Sequence, residues 1–134
     1  MSLRWYSVVI DCHDIAAQAR WWAGVLNWQV IYEADDEVVI VPMHVTPKSL
    51  SSTPWEQVGP GLVFVPVPED KTVKNRLHMD LAPQLHDDQG AMVESLIVKG
   101  ATRVDVGQNE EEATWVVLAD PEGNEFCVLS SRAQ

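Results

Sequence analysis

In the first half of this chain, the spacing of hydrophobic and polar residues predicts one helix and several short strands. Apolar residues recur with helical spacing over 15–26, where Asp14 is a suitable N-cap and Asn27 can end the helix in the left-handed conformation. Apolar runs around that helix predict strands, which fall at 5–12, 28–32, 37–43 and 61–67. The first half is therefore predicted to be βαβββ.

The second half repeats this order after a polar linker at 68–75. Asp87 or Asp88 is the predicted cap of a helix that continues through Lys99 and stops at Gly100. Strands are predicted on either side of that helix, at 77–81, 102–106, 113–118 and 125–129, with a turn region at 110–112.

An internal duplication accounts for this repetition. The segments VLNWQV (25–30) and VKGATRV (98–104) occupy matching positions that are about 73 residues apart by direct count. The pattern predicts one α+β domain over 1–134, built from a module at 4–67 and a module at 76–131.

The stretch at 44–60 is predicted to be a polar loop, since it contains three prolines and few apolar residues. It accounts for the roughly dozen extra residues of the first module. Long loops in compact domains tend to be functional or disordered. Trp55 within this loop therefore indicates a lid or a pocket wall.

A β-hairpin is predicted near the end of the chain, where apolar runs flank the sequence DPEGN at 120–124. Glu125 follows that turn and shares a strand face with Cys127 and Leu129, because side chains alternate along a strand. An acid on an apolar face is unfavourable unless a partner pairs with it. The partner is expected to be a metal, a ligand or a basic side chain.

The strand at 77–81 carries a second unusual side chain. Leu77, Met79 and Leu81 form its apolar face, whereas His78 and Asp80 point the other way. A histidine on one strand and a glutamate on another make half of a metal site. We expect His78 and Glu125 to lie close together and to face one cavity, either around a ligand or in a hydrogen bond to each other; Asp80 is the alternative partner of His78.

Composition excludes several classes of function. Hydrophobic residues are 46% of the chain, and no apolar run approaches the length of a membrane span. The net charge of −11 argues against nucleic-acid binding. Without a recognisable signal peptide, Cys12 and Cys127 are interpreted as reduced core residues of a cytoplasmic protein.

Three segments together resemble the glyoxalase, bleomycin-resistance and extradiol-dioxygenase superfamily, the vicinal oxygen chelate proteins, and its glyoxalase-like branch in particular. They are DIAAQARWWAGVLNWQV (14–30), KNRLHMDL (74–81) and DPEGNEFCVL (120–129). The resemblance implies two βαβββ modules that form a curved mixed sheet around a central cavity.

The resemblance also implies four metal-ligand positions, on the first and last strands of the two modules. They fall on or near Ser7, Val65, His78 and Glu125. Since neither serine nor valine is a normal ligand for a divalent metal, we predict no tightly bound zinc, nickel or iron. Any divalent metal would lie on His78 and Glu125, with His44 and Asp11 as reserve candidates outside the family positions.

Two functions follow from the resemblance. The first is a small-molecule binding protein of the bleomycin-resistance type without a complete metal site. The second is a glyoxalase-like lyase or isomerase that uses His78 and Glu125. The residues expected to line the ligand site are Ser7, Trp55, Val65, Arg76, Asp80 and Trp115.

The expected ligand is apolar or a cationic aromatic, because the acidic chain attracts cations and tryptophan faces stack on rings. The rival is an anionic glutathione-type conjugate at Lys74 and Arg76, which are otherwise interpreted as solvated linker residues. Trp21 and Trp22 cannot both face the sheet, so we predict a homodimer that covers the exposed ring.

Overall fold

A computed structural model of the chain describes residues 2–105, 107 and 113–134. It is α+β, as predicted. The chain divides into two compact units between Asp70 and Lys71. Within the described residues no helix is long and apolar enough to cross a membrane.

Unit 1 has the βαβββ order with one additional helix. Its elements are β1 (Ser7–Cys12), α1 (Ile15–Leu26), β2 (Trp28–Glu33), β3 (Val38–Pro42), α2 (Pro47–Ser52) and β4 (Gly61–Pro66). The strand order is β1-β4-β3-β2, with β1 and β4 parallel and the other pairs antiparallel. The predicted limits of α1 are confirmed: the Asp14 side chain accepts a hydrogen bond from the Ala17 N–H, and Asn27 ends the helix at φ 55°.

The core of unit 1 lies between α1 and the sheet. Ala19 and Trp22 of α1 are buried, as are Ile40 of β3 and Phe64 of β4. Helix α1 contacts β2, β3 and β4, so its apolar stripe determines which sheet face is covered. Trp21 lies edge-on to Trp22, with 5.0 Å between the ring centroids, and is only partly exposed.

The stretch at 44–60 was predicted to be a loop, and the structure differs. Helix α2 and a single 3₁₀ turn at Trp55–Gln57 lie within it. A capping box starts α2, in which the Thr46 side chain accepts from the Ser49 N–H and the Ser49 hydroxyl accepts from the Thr46 N–H. Pro47 in the first turn favours the start of a helix, whereas the prediction took the prolines of this stretch only as signals of a loop.

Unit 2 repeats the order of unit 1. Its elements are β5 (Asp80–Leu81), α3 (Gln89–Val98), β6 (Thr102–Arg103), β7 (Val116–Ala119) and β8 (Glu125–Val128). The strand order β5-β8-β7-β6, with β5 and β8 parallel, matches that of unit 1. Each unit therefore has its own four-stranded mixed sheet, and the predicted duplication is visible in the topology.

Two predicted strands of unit 2 are reduced to two residues each. The strand predicted at 77–81 is limited to Asp80–Leu81, although the Cys127 N–H still donates to the Met79 carbonyl at 2.9 Å. Leu77 is 88% exposed, so the predicted apolar face does not extend to it. Strand β6 covers only Thr102–Arg103 of the predicted 102–106. Residue 106 and the turn predicted at 110–112 lie outside the described residues.

The predicted hairpin is confirmed as β7 and β8. Its turn depends on Gly123, whose φ of 91° is unfavourable for residues with a side chain. The buried Asp120 carboxylate accepts hydrogen bonds from the N–H groups of Glu122 and Asn124. This turn sets the register that places Glu125 opposite Ala119 and Cys127 opposite Val117.

Candidate functional site

One face of the unit 2 sheet lines a cavity of about 380 Å³. Glu125 and Cys127 are two residues apart on β8, so they point to the same side. The strand pairing places Val117 and Asp80 beside Cys127. The residues that line the cavity are Lys74, Asn75, His78, Gly107, Trp115, Val117, Glu125 and Cys127.

Glu125 has its partner within the chain. Lys71 Nζ lies 3.0 Å from Glu125 Oε1, and the Asn75 N–H donates to Oε2 at 3.1 Å. The side chains of Lys71 and Glu125 are 22% and 11% exposed. Of the three partners expected for this acid, the structure provides the basic side chain.

Burial alone would raise the pKa of the Glu125 carboxyl group, because it disfavours the charged form. The hydrogen bond from Lys71, the N–H of Asn75 and the positive charge of Lys71 outweigh burial and hold this pKa below its usual value. Glu125 is therefore an anion at neutral pH, and its charge is balanced by Lys71.

His78 is paired with Asp80 in the structure. His78 Nε2 lies 3.3 Å from Asp80 Oδ1, and both side chains are about half exposed. A carboxylate at this distance can accept a hydrogen bond from the imidazole and so orient the ring. Of the two partners expected for His78, Asp80 is the one that the structure provides.

Cys127 completes a cluster with His78 and Asp80. The three residues can each offer one ligand atom within 4.8 Å of the others. Burial raises the pKa of the Cys127 thiol, and the charge and hydrogen bond of Asp80 raise it further, whereas Lys74 lowers it. Cys127 is thus a neutral thiol at neutral pH.

The predicted site residues separate into two groups. His78, Glu125 and Trp115 line the cavity of unit 2, and Asp80 contacts His78 beside it. Arg76 is exposed and is not among the lining residues. The expectation that His78 and Glu125 face one cavity agrees with this lining, although each side chain is bonded to a different partner.

The remaining predicted residues belong to unit 1. Ser7 begins β1 and Val65 lies on β4. Trp55 begins the 3₁₀ turn, and the Arg4 guanidinium lies 4.4 Å from its ring centroid. The Arg4 guanidinium is also 4.6 Å from the Tyr6 ring centroid. The Trp55 ring, which was expected to stack on a ligand, is thus in cation–π contact with Arg4.

Sequence reasoning missed several residues at or near the cavity. Asn75, which lines the cavity, and Lys71, which contacts Glu125, lie in a segment interpreted as polar linker, and Cys127 was assigned to the core. Lys74 was considered only as part of a rival anion site with Arg76, and it lines the cavity. A strand face shared with Glu125 did identify Cys127 as a neighbour of the site. No local pattern indicates Lys71, because its contact with Glu125 spans 54 residues.

Comparison with known proteins decides the family. The glyoxalase-like domain family matches residues 7–129 of the chain. The chain belongs to this family. No curated protein matches the glyoxalase-like chain significantly, so its assignment to the family rests on the family match.

Solved structures share the fold at low sequence identity. A glyoxalase/bleomycin resistance protein/dioxygenase family enzyme from Burkholderia phytofirmans PsJN is 17% identical, with a TM-score of 0.66 over 96% of this chain and 98% of that chain. The fosfomycin resistance protein FosX from Mesorhizobium loti is 11% identical, with a TM-score of 0.65 over 96% and 92% of the two chains. A glyoxalase-related enzyme from Fulvimarina pelagi is 14% identical, with a TM-score of 0.57 over 93% and 86%.

The residues of this glyoxalase-like chain do not fit the metal that the superfamily implies. The resemblance implies two of the four ligand positions on or near Ser7 and Val65, which are poor metal ligands. It implies a third on Glu125, whose two oxygens accept hydrogen bonds from Lys71 and Asn75. A divalent ion at Glu125 would lie within a few ångströms of the Lys71 ammonium, which repels it.

Proposed function

We propose that the cavity of unit 2 binds a small organic molecule without a metal at the family position, in a binding protein of the bleomycin-resistance type. The observation that carries the proposal is a cavity whose lining combines Trp115, Val117 and Cys127 with a few polar groups. Its volume of about 380 Å³ lies in the range of ligand pockets, which are largely apolar with few polar anchors.

An aromatic or apolar ligand is the proposed class. Trp115 is 40% exposed at the cavity and offers a stacking face. The net charge of −11 disfavours polyanions and favours neutral or cationic molecules near the protein. Glu125 does not by itself call for a cationic ligand, because Lys71 already balances its carboxylate.

A reducing, cytoplasmic location is part of the same proposal. Neither Cys12 nor Cys127 forms a disulfide, and both are buried, which agrees with the interpretation of two reduced thiols. Cys127 lines the cavity, and a thiol that lines a ligand site is best preserved in a reducing compartment.

A matched series of probes tests the proposal. Benzyl alcohol, benzylamine and benzoate present the same ring with a neutral, cationic or anionic group. Titration of isotope-labelled protein by NMR should shift the amide signals of Trp115, Val117 and Cys127 with the neutral or the cationic probe. If none of the three probes shifts these signals, the ligand site is not where we propose it.

Two tryptophan variants supply the control. Trp115→Ala is expected to weaken binding by about tenfold, which corresponds to the loss of one ring-stacking contact. Trp55→Phe alters a ring that already carries Arg4 and should leave binding unchanged. Equal loss in both variants would indicate general destabilisation rather than a ligand contact at Trp115.

A lyase or isomerase is the second candidate, and the His78–Asp80 pair favours it. An imidazole in a cavity with a carboxylate 3.3 Å away is a suitable general acid or base. Hydroxyacetone in heavy water tests for proton abstraction beside a carbonyl. Deuterium incorporation that is lost in His78→Gln would support an enzyme, and its absence in the wild type would count against this type of proton abstraction.

A further inference from the structure

The Lys71 ammonium forms an ion pair of defined geometry with the Glu125 carboxylate. Its Nζ donates to Glu125 Oε1 at 3.0 Å and also to the carbonyl of Val73. Its aliphatic stem passes the hairpin turn, where a Cβ on Gly123 would be 3.4 Å from Lys71 Cγ. The side chain is 22% exposed, so the ammonium is confined rather than solvated at random.

The same carboxylate fixes the segment that forms part of the cavity wall. Glu125 Oε2 accepts from the N–H of Asn75, four residues after Lys71. Lys74 and Asn75 both line the cavity, although this segment has no regular secondary structure. Its position therefore depends on the two bonds to Glu125, one from an ammonium group and one from the backbone.

We infer that the Lys71 ammonium is the resident counter-ion of Glu125 and takes the place of a divalent metal at this carboxylate. It supplies a positive charge against the carboxylate at the position where the superfamily resemblance implies a metal ligand. It also positions the segment from Lys71 to Asn75, and so shapes the cavity wall. Lys71 is thus a positioning residue, and the cavity is assembled without an added ion.

This inference goes beyond the proposed function and makes a separate claim. The proposed function concerns the molecule that enters the cavity, whereas the inference concerns what balances Glu125. Ligand binding can fail while Lys71 still excludes metals, and metals can displace Lys71 while a ligand still binds. The experiment therefore uses manganese(II) alone as its probe, and its outcome does not depend on any organic ligand.

Paramagnetic NMR with manganese(II) tests the inference. Wild-type protein should show no localised broadening of the amide signals of Glu125 and His78. Lys71→Met removes the ammonium and keeps a similar stem, so Glu125 is left as a carboxylate without its ammonium partner in the cavity that His78 also lines. We expect localised broadening in this variant, with apparent manganese affinity higher by about tenfold or more.

Two further variants separate charge from shape. Lys71→Arg keeps the positive charge and should exclude manganese as the wild type does. Lys48→Met removes an exposed lysine in unit 1 and should also behave as the wild type. Localised broadening at Glu125 in the wild type, or its absence in a folded Lys71→Met protein, would overturn the inference. Should Lys71→Met not fold, the wild-type and Lys71→Arg titrations still decide, because localised broadening at Glu125 in either contradicts it.

Discussion

Lys71 and Glu125 are 54 residues apart in the sequence, and their charged groups are 3.0 Å apart in the structure. Lys71 begins unit 2, and Glu125 begins its last strand. The ion pair therefore connects the first residues of this unit to the strand that lines its cavity. Because both side chains are mostly buried, removing one of them would leave the other as a buried charge without its partner, a cost that exposed pairs do not carry.

The stability of unit 2 should depend on pH through Glu125. The pKa of this carboxyl group is lower in the folded state than its usual value of 4.5, so the folded state binds fewer protons than the unfolded state in the acid range. Its contribution is present above the usual pKa and is lost as the pH falls through the lowered value. We expect Glu125→Gln to be less stable than the wild type by about 1–3 kcal/mol at neutral pH.

Denaturant unfolding at a series of pH values measures this difference. The gap between wild type and Glu125→Gln should narrow as the pH falls below the usual carboxyl pKa, because the wild-type carboxylate is then protonated too. Glu56→Gln is the matched control, since Glu56 is exposed in the 3₁₀ turn of unit 1. A gap that stayed constant with pH would exclude the ion pair as its source.

Local sequence patterns predicted the parts of the fold that local contacts determine. Helix α1 has the predicted limits because Asp14 and Asn27 cap it within its own sequence. The hairpin at Gly123 was predicted for the same reason. Strand β5 was predicted too long, since its pairing with β8 covers only Asp80 and Leu81, and only tertiary structure determines where that pairing ends.

The candidate site was predicted only in part, for a related reason. Alternation along the strands identified His78 and Glu125 as polar side chains on the cavity side. It could not identify their partners, because the contact of Glu125 with Lys71 depends on how a segment without regular structure is folded. The contact between Asp80 and Cys127 needs the strand register of β5 and β8, which no local motif encodes.

Gly123 should tolerate substitution poorly. Its φ of 91° strains any residue with a Cβ, and a new Cβ would also contact the stem of Lys71 at 3.4 Å. We expect Gly123→Ala to lower the free energy of unfolding by about 1–2 kcal/mol. Gly59→Ala is the control, because a Cβ there meets nothing within 4 Å. Thermal denaturation that shows equal losses would contradict this assignment.

A homodimer remains our prediction, although the surface differs from the one first considered. Trp22 is buried and Trp21 is partly exposed, so the pair leaves little free apolar surface. The edge strand β2 exposes Ile31 at 54% and Tyr32 at 52%, and exposed edge strands pair readily with another chain. We expect light scattering to give a dimer for the wild type and a monomer for Ile31→Lys.

Val98→Lys is the control for that experiment. Val98 is 87% exposed at the end of α3, so the substitution adds the same charge to a different apolar surface position. It should leave the dimer intact. A wild-type monomer over a wide range of concentrations would contradict the prediction, and a monomeric Val98→Lys would show that added charge alone dissociates the dimer.

Purified protein should contain no stoichiometric zinc, nickel or iron. Glu125 is bonded to Lys71 and Asn75, which leaves His78 without its expected co-ligand at the family position. Elemental analysis after dialysis against a weak chelator measures the metal content. A metal that survives dialysis but is lost in Cys127→Ser would contradict the prediction and place the metal on the His78, Asp80 and Cys127 cluster.

Cys127 should react slowly with alkylating reagents at neutral pH, because its thiolate fraction is small. Burial raises the pKa of the thiol above its usual value of 9.0, and the charge and hydrogen bond of Asp80 add to this effect. Asp80→Asn removes that charge, lowers the thiol pKa and should increase the alkylation rate several-fold. Lys74→Met removes an opposing positive charge and should slow the reaction.

Mass spectrometry after timed exposure to iodoacetamide resolves the two cysteines of the chain. Cys12 lies in unit 1 and serves as an internal reference, since neither substitution is in its unit. The rate at Cys127 should rise with pH up to and beyond the usual thiol pKa, as expected for a suppressed thiolate. Alkylation of Cys127 as fast as that of a free thiol, or no change in Asp80→Asn, would show that Asp80 does not control this group. Parallel acceleration at Cys12 would instead indicate that the variant had unfolded.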